Sequence, residues 1–150
     1  MSPDPESLRA EFEALGIPAE EAKAMADKDA TSKTPQLVRH TLLRAAWENV
    51  VDPGGRWVEA YSKSYPMNRP LAALVEAGVD RAKLTALVRT MQFDLLAAIA
   101  VLLDEGGAPS TSARWGLFEL DEGGAPARRV LALHESVTAA DPTGEADGWM

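Results

Sequence analysis

One stretch limits what this chain can become. Between Asp80 and Asp104, Leu84, Leu87, Val88, Met91, Leu95, Ala98, Ile99 and Leu102 recur at helical spacing. At 100° per residue they fall within an arc of about 120°, which predicts one long helix. Asp80 supplies its N-cap. From Phe93 onward the other faces also turn apolar, through Leu96, Ala97, Val101 and Leu103. A helix apolar all round is surrounded by protein, so its second half is expected at the centre of a bundle.

Composition agrees with helices gathered round that axis. Of the 69 hydrophobic residues 26 are Ala, the best helix former, whereas Val and Ile together number only 12. Asp4 or Ser2 can cap a first helix carrying Leu8, Phe12 and Leu15 on one face. Gly16 and Pro18 end it, with Ile17 folding back on Phe12. Ala19 to Asp27 predicts a short, peripheral second helix, and Lys28 to Lys33 a linker. Thr34-Pro35 starts a third helix with Val38, Leu42, Ala45, Ala46 and Val50 as its apolar stripe, broken by Asp52-Pro-Gly-Gly55. Trp57, Val58, Tyr61 and Tyr65 mark a fourth. Asn68 caps a fifth, which Gly78 closes with Val79 folding back on Leu74.

After Gly106 the style changes. Trp115 to Leu120 reads as a short strand, and Arg128 to Ala140 as a strand followed by a helix. Asp141-Pro-Thr-Gly144 fits a type I turn, and Trp149 is positioned to anchor the last residues. The expected fold class is therefore mainly α. About five to six helices surround a long central helix (80–104), with a short strand or hairpin near 115–133. The 150 residues form a single domain, with a peripheral N-terminal helical pair (3–28) and a loose C-terminal tail (141–150).

Charge and chemistry narrow the function. Fifteen Lys and Arg against 23 Asp and Glu leave a net charge of −8, which repels phosphate backbones and argues against nucleic-acid partners. Without cysteine there is no thiol nucleophile, disulfide or thiolate metal site. The acidic, proline-rich start is unlike a signal peptide, and the most apolar stretch, Leu95 to Leu103, is too short to span a bilayer. A soluble cytoplasmic protein with no membrane association is expected. Abundant Ala and the excess of Arg over Lys suggest a GC-rich bacterial genome. No phosphate-binding loop, dinucleotide fingerprint, nucleophile elbow or zinc-protease motif is present.

The remaining candidates are single residues. Asp94, flanked by Phe93 and Leu95, is expected to be buried with a cation such as Arg44, Arg89 or Arg114, or to serve a site. Together with His134 and Glu135 it is the candidate acid/base chemistry of an inter-helix pocket walled by Trp57, Tyr61 or Trp115. His40 and His134 are candidate metal ligands, although more often such residues sit on a solvated face or a bundle edge, and neither metal nor cofactor is expected. Trp47 and Trp115 are the tryptophans expected to be exposed. Trp115, with Glu119, Asp121 and Glu122 on the acidic turns, forms a candidate surface for a basic protein partner. A homodimer suits any tryptophan face that needs cover. The motif inventory favours a small acidic interaction protein (adaptor, immunity-type inhibitor or modulator) over an enzyme or small-molecule binder, which is the alternative.

Overall fold

The computed structural model describes residues 4–64, 69–107 and 112–148. Ser2, Tyr65, Asn68 and Trp149, given roles above, lie outside the described residues. The fold is mainly α. Six α-helices are described, α1 (Pro5–Ala14), α2 (Ala19–Thr31), α3 (Gln36–Trp47), α4 (Trp57–Ser64), α5 (Arg69–Glu76) and the long α6 (Arg81–Glu105). They are followed by a two-stranded antiparallel sheet of β1 (Leu117–Leu120) and β2 (Pro126–Val130). Three 3-10 turns are described after it, at His134–Ser136, Thr138–Ala140 and Glu145–Gly148.

Local chemistry sets most of these boundaries. The Asp4 carboxylate accepts the Ser7 N–H at the start of α1, and Ile17 N–H returns to the Phe12 carbonyl beyond Gly16. Val79 N–H returns to Leu74 in the same way after α5. Asp80 caps α6 by accepting the Ala82 and Lys83 N–H groups at 2.9 and 3.4 Å. Gly106 ends α6 at φ +65°, where a β-carbon would stand 2.6 Å from the Trp115 carbonyl oxygen. In the hairpin, Leu117 pairs with Val130 and Phe118 with Arg129, and a register shift follows before Leu120 meets Pro126. Asp121 holds its turn by accepting the Gly123 and Ala125 N–H groups, both at 2.9 Å.

Among the described residues the interior shows three apolar clusters. Leu8, Phe12, Ala22 and Ala26 join α1 to α2, with Leu37 of α3 packed against them. Val58, Leu71 and Leu84 join α4, α5 and the first half of α6. The largest gathers Leu43 and Trp47 of α3, Ala100 of α6, Val130 of β2, and Leu133, Val137, Ala140 and Ala146 beyond it.

Several expectations are corrected here. Residues 28–31 belong to α2 and are not linker, because Asp29 is fully buried by its partners. Pro35 occupies the N-cap position of α3, where Thr34-Pro35 was expected to provide a cap and first turn. A carboxylate eight residues away does that work, as Asp29 accepts the Leu37 N–H at 2.7 Å. On α3 the buried apolar side chains are Leu43 and Trp47, with Gln36 buried beside them, while Leu42 faces outward. Trp47 is therefore not exposed; its indole N–H donates to the Val137 carbonyl at 2.7 Å. Between residues 128 and 140 the strand is present, but short 3-10 turns replace the helix.

The segment after Asp141 is not loose as far as it is described. Asp141 accepts the Ala146 N–H at 3.0 Å and Ala146 is fully buried. Arg89 of α6 reaches Glu145 at 3.3 Å and Asp141 at 3.9 Å. The largest correction concerns α6 itself, whose second half is open along one side.

Candidate interaction face on helix α6

The side of α6 turned toward its own chain carries the polar residues that are buried or half-buried, Thr85, Arg89 and Gln92. Arg89 is only 3% exposed and donates to the Val51 carbonyl at 2.5 Å and to the Thr143 hydroxyl at 3.0 Å. Gln92 accepts the Val51 N–H at 2.9 Å and donates to the Asn49 carbonyl at 3.3 Å. Thr85 is buried and accepts the Trp57 indole N–H at 3.0 Å. Arg89, Gln92 and Thr85 each find hydrogen-bond partners in distant segments, which offsets much of the penalty of burying them. Ala100, Phe93, Leu96 and Leu103 complete that side against the largest cluster.

The opposite side is apolar and uncovered. Leu87 retains 58% of its exposure, Met91 and Leu95 62% each, Ile99 44%, Val101 39% and Leu102 46%. Ala98 is exposed among them. With 1.5 Å rise per residue, the row from Leu87 to Leu102 runs for about 22 Å. Six large apolar side chains open to this degree leave on the order of 600 Å² of contiguous helix surface, at the top of what a monomer usually shows. Of the eight residues that the sequence pattern placed toward the core, only Leu84 and Val88 are covered, by α4 and α5. By length and composition this helix is also long and apolar enough to cross a membrane.

Asp94 lies within this open face, about 20° round the helix from Leu87, and is exposed, so its expected burial is corrected. Arg89, offered as its partner, turns to Asp141 and Glu145. His134 pairs with Asp104, its Nδ1 standing 2.7 Å from Oδ2, and the imidazole remains exposed. Burial would push the Asp104 carboxyl up. Hydrogen bonds from the backbone and ring of His134 and from the Leu133 N–H overcome this and hold it below the usual carboxylate range. Asp104 thus acts as a cap for the first 3-10 turn, entered through Ala132 at φ +60°. Glu135 is exposed beside it.

His40 is half-buried on α3, edge-on to Phe12. Burial, together with Arg44 and Arg39, pushes its imidazole down, against the opposing pull of Glu21. Among the described residues no three His, Asp or Glu side chains come together as metal ligands, so His40 and His134 do not share such a group.

The acidic hairpin is largely engaged internally. Trp115 is half-buried and donates its indole N–H to the Leu102 carbonyl at 2.9 Å. Glu119 grips the Arg128 guanidinium through two hydrogen bonds of 2.6 and 2.9 Å. Arg128 also reaches Asp29 at 2.5 Å, tying the hairpin to the junction of α2 and α3. Contact with Glu119, opposed by burial and reinforced by Asp29, raises the Arg128 guanidinium above its ordinary value. Asp121 and Glu122 are exposed at the turn. The hairpin's outer face adds two more exposed apolar side chains, Phe118 and Leu120.

A cavity of about 280 Å³ opens between α4, α5 and α6, lined by Val51, Trp57, Tyr61, Leu71, Leu74, Leu84, Val88 and Gln92. Trp57 and Tyr61, expected as pocket walls, are among them; Asp94, His134 and Glu135 are not. Among the described residues its lining holds no carboxylate, imidazole, amine or aliphatic hydroxyl to carry acid–base or nucleophilic chemistry.

Arg89, Gln92 and Asp29 are the polar residues that sequence reasoning missed as structural centres. The available signal was that Arg89 sits on the far side of α6 from its main apolar arc and that Gln92 falls just outside that arc, next to Ile99 in angle. Compared with protein-family models, curated proteins and solved structures, the chain finds no match in any of the three.

Proposed function

We propose that this protein works by binding other protein chains, as an adaptor, immunity-type inhibitor or modulator, and that α6 provides the contact surface. The observation that supports this most directly is the uncovered row from Leu87 to Leu102, because exposed apolar surface of this extent marks interaction sites. Protein suits the face better than lipid. A helix lying on a membrane surface gains from Lys and Arg along its flanks against anionic headgroups. Here Asp94 interrupts the row, Asp104 and Glu105 stand at its end, and the whole chain carries −8.

Asp121 and Glu122, with Trp115 and Glu119 behind them, are proposed as a secondary acidic surface that steers a basic partner, raising the association rate more than the affinity. Glu122→Lys is the cleaner probe of steering, since Asp121 also holds the turn.

The test is a photo-reactive amino acid placed at Leu95 and activated in the cells of origin. Adducts to polypeptide are expected from Leu95 and absent from a control position such as Lys23. Exclusive labelling of lipid, or no adduct, overturns the proposal.

The cavity supports a second reading, binding of a small apolar molecule. At about 280 Å³ it is at the lower limit of small-molecule sites. Saturable quenching of tryptophan fluorescence by indole analogues, lost in Val88→Phe, is the expected result under that reading.

A further inference from the structure

We infer that the open face of α6 is covered by the same face of a second copy of this chain, packed antiparallel about a two-fold axis. This rests on the protein-binding role proposed for that face and names its occupant.

The first argument is area. One copy offers on the order of 600 Å² along α6, so two copies together bury about 1,200 Å², where stable interfaces begin. The second is the order of charges along the helix. Measured at 100° per residue from Leu87, exposed Lys83 and Glu105 fall within about 40° of it, so the apolar row opens with a cation and closes with an anion. These ends are 22 residues, or about 33 Å, apart. Antiparallel pairing sets Lys83 of each copy beside Glu105 of the other, twice per dimer, whereas parallel pairing sets like beside like.

The side chains on the face suit that register. With Lys83 opposite Glu105, Leu87 meets Val101, and the long Met91 side chain meets the small Ala97–Ala98 step of the facing helix. The midpoint falls at Asp94, so the two Asp94 carboxylates flank the axis. They oppose association and make it reversible, while the rest of the face favours it.

Sedimentation equilibrium of the full chain, from micromolar to submillimolar concentration, tests the inference. The expected mass rises from 16.1 kDa toward twice that value. Leu95→Glu is expected to weaken the dimer by at least about tenfold. Lys83→Glu and Glu105→Lys alone each weaken it by about fivefold, and the double variant restores it to within about twofold. Neither reversal damages the helix, because an acid near its N-terminus and a base at its C-terminus both suit its dipole. Asp94→Asn tightens the dimer.

A monomer at every concentration overturns the inference. So does a dimer indifferent to Leu95→Glu, which places the contact elsewhere, or a charge swap without rescue, which removes the antiparallel register. Co-sedimentation of monomer with phosphatidylcholine–phosphatidylserine vesicles overturns it in favour of lipid. A monomer whose Leu95 still forms adducts with other polypeptides loses only the second copy. Absence of any polypeptide adduct removes the protein-binding role as well.

Discussion

Asp29 joins three elements through one buried carboxylate. It is fully buried, caps α3 through the Leu37 N–H, and pairs with Arg128, which in turn holds Glu119. Removing one partner of a buried pair leaves the other charge uncompensated. Asp29→Ala is therefore expected to cost about 3 kcal/mol in urea unfolding, against a few tenths for its exposed neighbour Asp27→Ala. Asp104 makes a different prediction. Its carboxyl is held below the ordinary range when folded, so the folded state binds a proton less readily than the unfolded chain. That contribution is complete above the unfolded value near 3.9 and is lost as pH falls through the lower folded value. Asp141 acts with the same sign, since the Thr143 and Ala146 N–H groups, the Thr143 hydroxyl and Arg89 outweigh the upward effect of burial. Asp104→Asn is expected to flatten the loss of stability below about pH 4, in unfolding curves taken across that range. An unchanged slope contradicts the Asp104–His134 cap.

Among the elements, α6 carries the decisive test of inside and outside. Alanine at Leu87 or Leu95 is expected to change the unfolding free energy of dilute, monomeric protein by no more than about 0.5 kcal/mol. Leu133→Ala, in the largest cluster, is expected to cost about 2–5 kcal/mol. The helix itself was legible: Asp80 and Gly106 bracket it, and its length follows from the pattern. Its orientation was not, and the reason lies in particular residues. Periodicity measures which residues share a side, and the rule that apolar sides turn inward assumes that nothing inside needs a polar group. Arg89, Gln92 and Thr85 break that assumption, because Val51, Asn49, Trp57 and Thr143 supply partners from 28 to 54 residues away. A buried arginine with such partners is tolerated, and the strongly apolar side is then free to face outward.

For the molecule as a whole, the C-terminal segment is the untested joint. The sequence suggests removable tail beyond Ala140, yet Asp141, Thr143 and Glu145 surround the Arg89 guanidinium and Ala146 fills the cluster behind it. Ending the chain at Ala140 is expected to cost about 3–5 kcal/mol, the loss of a buried charge's partners, seen as a large drop in Tm. A truncated chain as stable as the full one contradicts this. Short-range chemistry settled the class of fold, the helix caps at Asp4 and Asp80, the glycine stops at Gly16, Gly78 and Gly106, and the hairpin turn, since each depends on residues within a few positions of one another. The pairing of Asp29 with Arg128, of His134 with Asp104, and the choice of which side of α6 meets solvent came only with the packed chain. Those contacts join groups far apart in sequence, and their free energy depends on a burial that no local pattern records.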